Sequence, residues 1–211
     1  HCDGALAPFE CLAENLVPGC RSVLADRQDQ GGAGIVVPDL VSIDAVPVRD
    51  FARLEQVARA RHPALVREIE GVADGAGAEF AQVFLRNCRG DLRFSPETAS
   101  ARLDAMSDAC TTVISAGDFA NDVPAVIAHN EDGSGDVIEH RYWLRARPDD
   151  APAFESYLYP GMLAGHSVAV TDAGLVQTIN NVRADDLTPG IPRHFICRAV
   201  LEADSIPGVI A

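Results

Sequence analysis

The hydrophobic residues of this chain change their spacing near its middle. Between residues 48 and 77 they recur three and four positions apart, as in Leu65, Ile69 and Val72, which is the period of an amphipathic helix. From residue 110 onward they form short runs rich in β-branched residues, separated by Gly, Pro and Asp, which is typical of strands and turns. Helices followed by an antiparallel meander predict an α+β domain in which helices cover a sheet.

Two helices are expected before residue 78. The first runs from about Val48 to Arg61, and the second begins at Pro63, because a proline in the first helical turn loses no hydrogen bond. The glycines at 75 and 77 end the second helix. We further predict a third short helix over 78–85, a polar connecting loop over 87–101 and a helical segment over 193–203.

A β-hairpin is expected where two apolar runs, 110–115 and 125–130, flank turn residues. Four more strands are predicted at 142–147, 154–159, 167–171 and 175–180. Residues 1–50 mix short apolar patches with Gly and Pro, a pattern that predicts a loop-rich segment.

The charge of the chain argues against some classes of partner. Across 211 residues, Asp and Glu total 31 against 17 Lys and Arg, giving a net charge of -14, which repels phosphate backbones, so no nucleic-acid partner is expected. No apolar stretch has the length needed to span a bilayer, so we expect no membrane partner and a soluble, cytoplasmic protein.

Six cysteines stand at positions 2, 11, 20, 88, 110 and 197. Their spacing matches no zinc-binding pattern, and a chain with a full core needs no disulfide framework. The sequence therefore predicts reduced thiols, no metal and no cofactor.

Cys110 is the residue whose neighbours suggest chemistry, although an isolated cysteine at the head of a strand is more often a buried core residue. The predicted hairpin brings its strand end close to residues 129–133 on the opposite strand. A nearby carboxylate disfavours a thiolate, so the thiol needs another base. In N-terminal-nucleophile enzymes that base is the α-amino group released by cleavage before the nucleophile, whose ordinary pKa is about 7.7 to 8.0.

Several blocks in order resemble the isopenicillin N acyltransferase-like (acyl-CoA:6-aminopenicillanic acid acyltransferase-like) cysteine enzymes of the N-terminal-nucleophile superfamily. Residues 108–112 (DACTT) resemble the family's self-processing site, and residues 128–133 (AHNEDG) resemble its hNxDw block. The remaining blocks are 62–77, 158–161, 174–181 and 190–203. Two positions depart from the family pattern: Ala109 stands where Gly is frequent, and Gly133 where an aromatic residue is frequent.

The resemblance implies an αββα sandwich of antiparallel sheets covered by helices, and a precursor that cuts itself between Ala109 and Cys110. Residues 1–109 would form the α-chain portion and 110–211 the beginning of the catalytic portion, together one domain, which we expect to be incomplete at its C-terminus. The two chains would remain partners. A homo-oligomer is compatible with the sequence.

The implied activity is hydrolysis or transfer of the acyl group of a small non-peptide amide or an acyl-CoA-like thioester, through an acyl-enzyme on Cys110. One alternative is a non-catalytic or unprocessed binding or regulatory protein on the same fold. Another is a papain-type thiol hydrolase that pairs an internal Cys110 with His129.

The resemblance implies two further catalytic residues. Asp132 would orient the new ammonium group, although Asp before Gly is also an ordinary turn pair. Asn180 would donate to the oxyanion, although a bare Asn pair is also typical of a turn at the end of a strand. The residues expected around these are Thr111, Thr112, His129, Asn130 and Asn181.

Four more polar residues are assigned structural roles. His166 and Ser167 are neighbours on a strand and so face opposite ways. His194 is expected to cap or pack a helix, and Arg198 to pair with a surface acid.

Overall fold

A computed structural model describes residues 48–94, 110–116, 125–132, 141–181 and 190–210. The predictions for residues 1–47, for Ala109 and Gly133, and for residues 95–101 of the predicted loop lie outside these ranges.

The helices lie close to where their hydrophobic spacing predicts them. Pro63 occupies the first turn of the second helix, and Gly77 follows its last residue in the left-handed conformation, with φ of +61°. The amide of Gly77 donates to the carbonyl of Asp74, which closes the helix end. The bounds are α1 Val48–Arg61, α2 Pro63–Ala76, α3 Phe80–Cys88, α4 Arg193–Val200 and α5 Ile206–Ile210, with a 3₁₀ turn at Asp91–Phe94.

The hairpin predicted around Cys110 is confirmed. Strands β1 (Thr111–Ala116) and β2 (Ala125–Asn130) form an antiparallel pair, with Thr112 opposite His129. A separate antiparallel sheet of four strands follows in chain order: β3 Tyr142–Ala146, β4 Phe154–Leu158, β5 Val168–Thr171 and β6 Val176–Thr178. The last strand ends at Thr178, so the prediction that Asn180 closes it is wrong by two residues.

The boundary predicted at residue 87 is also wrong, because Asn87 lies inside α3 and is fully buried. Its polarity suggested a loop, but buried partners satisfy its amide. The side-chain nitrogen donates to the carbonyls of Val83 at 2.9 Å and Gly161 at 2.8 Å. The side-chain oxygen accepts from the amide of Leu163 at 2.7 Å. Asn87 therefore attaches the segment after β4 to helix α3.

The main core combines residues from both halves of the chain. The ring of Phe84 in α3 lies 5.5 Å from that of Phe51 in α1 and 5.8 Å from that of Phe195 in α4. Leu163, from the segment after β4, is buried in the same cluster. A smaller cluster involves the four-stranded sheet and contains Ala146, Phe154, Ala164, Ala169 and Leu201.

Arg198 contacts an exposed acid as predicted, with Nη1 3.4 Å from Oε1 of Glu202, but its shorter ion pair is with a largely buried one. The side chain is buried, and its Nε lies 3.1 Å from Oε2 of Glu68 in α2. Its guanidinium also lies over the ring of Phe154, 4.9 Å from the centroid. Burial raises the pKa of the Glu68 carboxyl, and the charge of Arg198 opposes that shift. The pair links α2 to α4.

No helix in the described ranges is long and apolar enough to cross a membrane.

Candidate active site

Cys110 and Glu131 meet where the two strands of the hairpin end. Cys110 directly precedes β1 and Glu131 directly follows β2, and the pairing of Thr111 with Asn130 places the two side by side. The thiol of Cys110 donates to Oε2 of Glu131 across 3.6 Å. The hairpin therefore brings a carboxylate to the thiol, as the spacing of the blocks suggested.

The carboxylate of Glu131 is the centre of a polar cluster. Its Oε1 accepts a hydrogen bond of 3.2 Å from the hydroxyl of Tyr159. Its Oε2 accepts from the hydroxyl of Ser167 and lies 3.2 Å from Nε2 of His129. The His129 side chain is only 3% exposed and that of Glu131 19%, so this cluster is largely shielded from water.

A second chain of hydrogen bonds returns from His129 to the backbone of Cys110. Nδ1 of His129 lies 3.0 Å from the hydroxyl of Thr112, which donates to Oδ1 of Asn180 at 2.7 Å. The amide nitrogen of Asn180 donates to the carbonyl oxygen of Cys110 at 2.9 Å. A continuous series of polar contacts therefore runs from the thiol of Cys110 back to its own carbonyl. It passes through the side chains of Glu131, His129, Thr112 and Asn180.

This network assigns the protons on His129. Asn180 directs its nitrogen at the Cys110 carbonyl and therefore its oxygen at Thr112. Thr112 has a single hydroxyl proton, which it donates to that oxygen, so it must accept from Nδ1 of His129. Nδ1 of His129 therefore donates to Thr112, and Nε2 faces the carboxylate of Glu131.

Tyr159 reaches this cluster because helix α3 holds the segment that follows it. Nε of Arg86 donates to the carbonyl of Pro160 at 2.8 Å. The backbone amide of Tyr159 donates to Nε2 of His166 at 3.0 Å, and the two rings stack with centroids 5.0 Å apart. Burial, with nearby arginines, lowers the pKa of His166 to about 3, so its imidazole is neutral and accepts that bond. Burial and the charge of Glu131 raise the pKa of the Tyr159 hydroxyl, which stays a donor.

Comparison with known proteins adds an independent observation. The sequence model of the family described as acyl-coenzyme A:6-aminopenicillanic acid acyl-transferase matches residues 119–211. The beta-alanyl-dopamine/carcinine hydrolase of Drosophila melanogaster is 32% identical over 157 residues, which cover 68% of this chain and 39% of that protein. The chain belongs to this acyltransferase family. It spans well under half the length of that curated relative.

The candidate site of this acyltransferase-family chain contains some of the predicted residues, whereas others lie away from it. Cys110, Thr112, His129 and Asn180 are brought together. Asp132 is exposed and accepts a hydrogen bond of 2.6 Å from Asn130, on the strand face opposite that of His129. Thr111 and Asn181 are exposed.

Three residues of the site were missed from the sequence: Glu131, Tyr159 and Ser167. Strand alternation could have predicted Glu131. Side chains two residues apart lie on the same face of a strand, and the sequence already placed His129 near the thiol. For Tyr159 and Ser167 the sequence carries no comparable signal. His166 and Ser167 lie just before β5 and have different partners, since His166 contacts the Tyr159 backbone and Ser167 contacts Glu131.

His194 packs in the interior, as expected from its sequence position. His194 is buried, and its Nδ1 lies 2.8 Å from the carbonyl oxygen of Asn87. Burial holds the pKa of its imidazole well below the usual range, so it is neutral.

The ligand atoms of Cys110, His129 and Glu131 also lie within 4.8 Å of one another, so this group could hold a metal ion.

Proposed function

We propose that this chain is an autoprocessing cysteine amidohydrolase or acyltransferase of the N-terminal-nucleophile type, with Cys110 as the nucleophile. The observation that supports this most directly is the position of Cys110. It stands immediately before β1, and both its thiol and its carbonyl are engaged by one polar network. The two antiparallel sheets with their helices support an αββα sandwich as the arrangement.

In processing, the sulfur of Cys110 attacks the carbonyl carbon of Ala109, and the Ala109–Cys110 peptide bond breaks. The nitrogen of Cys110 takes up the thiol proton and becomes a free amine, while residues 1–109 are held as a thioester. Water then hydrolyses the thioester, which restores the thiol and leaves two chains.

In turnover, the released amine is the base that takes the thiol proton. Glu131 is unsuited to that task, because its negative charge so close to the sulfur disfavours a thiolate. The same charge stabilises the ammonium group that forms once the amine has accepted the proton. Glu131 is therefore a positioning residue in this proposal, as the resemblance implied for Asp132.

The relative named above supports an amide substrate, since beta-alanyl-dopamine is by its name an amide of β-alanine and an amine. We propose a small non-peptide amide as acyl donor. The thiol attacks its carbonyl carbon, the amine leaves with a proton, and the acyl group passes from sulfur to water or to a second amine. An acyl-CoA-like thioester would donate its acyl group in the same way.

The decisive experiment is intact-mass analysis of the purified full chain together with N-terminal sequencing. Cleavage between residues 109 and 110 that is absent from Cys110→Ala supports the proposal. A stable, inactive full-length chain supports the non-catalytic binding protein instead.

A second candidate is favoured by one contact, since His129 lies within 4.8 Å of the Cys110 thiol. A papain-type hydrolase using this pair would turn over amides without any cleavage. Activity of the uncleaved chain in the same preparation would support this mechanism.

A further inference from the structure

Three different ligand atoms converge at the proposed nucleophile. Sγ of Cys110 lies 3.6 Å from Oε2 of Glu131, and Nε2 of His129 lies 3.2 Å from the same oxygen. All three atoms lie within 4.8 Å of one another. A thiol, an imidazole and a carboxylate are the ligand types that zinc prefers.

Two of the three separations in this group are close to those of a tetrahedral zinc site. Zinc binds sulfur, nitrogen and oxygen at about 2.0 to 2.3 Å, which places two ligand atoms roughly 3.3 to 3.8 Å apart at a tetrahedral angle. The two separations at Glu131 differ from that range by about 0.1 Å or less. The Cys110–Glu131 and His129–Glu131 pairs therefore already have the separation of two zinc ligands, and the thiol and imidazole ligand atoms lie within 4.8 Å of each other.

The hydrogen bond between Thr112 and His129 orients the imidazole ring so that Nε2 faces the other two ligand atoms. Nδ1 of His129 donates toward Thr112, so Nε2 is the ring nitrogen that faces the carboxylate of Glu131. Two electron-rich atoms at this distance need a proton or a metal ion between them. A histidine ligand oriented by a hydrogen bond from its other nitrogen is the usual arrangement at metal sites.

We propose that Cys110, His129 and Glu131 form a binding site for one zinc-like divalent cation. On binding, the thiol loses its proton to solvent, and the thiolate, imidazole and carboxylate each donate an electron pair to the ion. The fourth position is left to water. Because the sulfur lone pair is then committed to the metal, zinc reversibly inhibits any chemistry at Cys110, a consequence that rests on the proposed function. The binding itself does not.

The test uses the full chain with Cys2, Cys11 and Cys20 replaced by serine, so that these thiols cannot bind the metal. Zinc binding is measured by calorimetry, and cobalt(II) is added separately to detect thiolate-to-cobalt absorption. We expect one ion per chain and a cobalt–thiolate band. Cys110→Ser should abolish the band, and His129→Gln should weaken binding at least 10-fold.

Thr112→Val tests the positioning of His129, because removing such an outer hydrogen bond typically weakens metal binding about 10- to 100-fold. The matched controls are Cys197→Ala and His62→Gln, which should leave the affinity and the band unchanged. If Cys110→Ser does not fold, the loss of metal affinity in His129→Gln and Thr112→Val is the test of the site. A cobalt spectrum without the thiolate band, or equal zinc affinity in His129→Gln, would overturn the site.

Intact mass and amide turnover, recorded on the same proteins before any metal is added and in the presence of a chelator, separate the two proposals. One-to-one binding with the thiolate band, in a chain that neither cleaves nor turns over amides, supports the metal site and rejects the proposed function. Cleavage and turnover without the band reject the site alone.

Discussion

The side-chain amide of Asn180 donates a hydrogen bond of 2.9 Å to the backbone carbonyl of Cys110, a residue 70 positions earlier. Thr112 donates to the other end of that amide and so fixes which end faces Cys110. An uncharged donor is thereby held beside the proposed nucleophile without adding a charge that would change the reactivity of the thiol. Its position beside Cys110 supports the proposed oxyanion role.

Asn180→Ala is expected to lower kcat by roughly 100- to 1000-fold with little change in KM, because a lost oxyanion donor typically costs about 2.7 to 4 kcal/mol of transition-state stabilisation. Steady-state kinetics on the processed protein measure this. Asn181→Ala is the matched control and should retain activity. The opposite result for the two variants would move the donor to Asn181.

Cys110→Ala should remove both self-cleavage and turnover, since no other described thiol lies in this cluster. Cys197→Ala, which changes a buried thiol in α4, should leave both nearly intact. Intact mass and an amide-release assay report the two activities. Self-cleavage that persisted in Cys110→Ala would eliminate the mechanism.

Glu131→Gln is expected to slow processing or kcat by more than 10-fold and to alter the pH profile, because it removes the charge that stabilises the ammonium group. Asp132→Asn is the informative comparison, since its carboxylate contacts Asn130 rather than the thiol. We expect the larger loss in Glu131→Gln. A larger loss in Asp132→Asn would give the orienting role to Asp132, as the family resemblance implies.

Asp91→Asn should stabilise the fold near neutral pH. Burial raises the pKa of the Asp91 carboxyl from 3.8 to about 6, against the opposing backbone amide and charge of Arg193. The folded state thus holds this proton more tightly than the unfolded state, so the wild type loses stability as pH rises from about 4 to 6. The free energy of unfolding lost by the wild type over this pH range is on the order of 3 kcal/mol.

Urea unfolding of both proteins at several pH values tests this prediction for Asp91. The difference in free energy of unfolding between Asp91→Asn and the wild type should be small at pH 4 and reach its full size above pH 6. Asp74→Asn, an exposed change on α2, should stay within about 0.5 kcal/mol of the wild type throughout. A difference for Asp91→Asn that did not vary with pH would contradict the assignment.

The two cleaved chains are expected to remain associated. Phe195 packs against Phe84, and Arg198 pairs with Glu68 in the interior, so parts on both sides of residue 109 share one core. Gel filtration of the processed protein under native conditions should give a single species. Two separate folded species would show that the core is not shared.

Local sequence determined the elements that depend on neighbouring residues. The apolar period and Pro63 predicted α2, Gly77 predicted its end, and alternating β-branched runs predicted the hairpin at Cys110. Hairpin pairing is itself nearly local, so the meeting of Cys110 with the residues after β2 could also be foreseen.

Tertiary structure decided what depends on distant partners. Asn87 is helical because buried groups from 161 and 163 satisfy its amide, and Arg198 is buried because Glu68 pairs with it. Ser167 and Tyr159 reach Glu131 only through the packing of the second sheet and of α3.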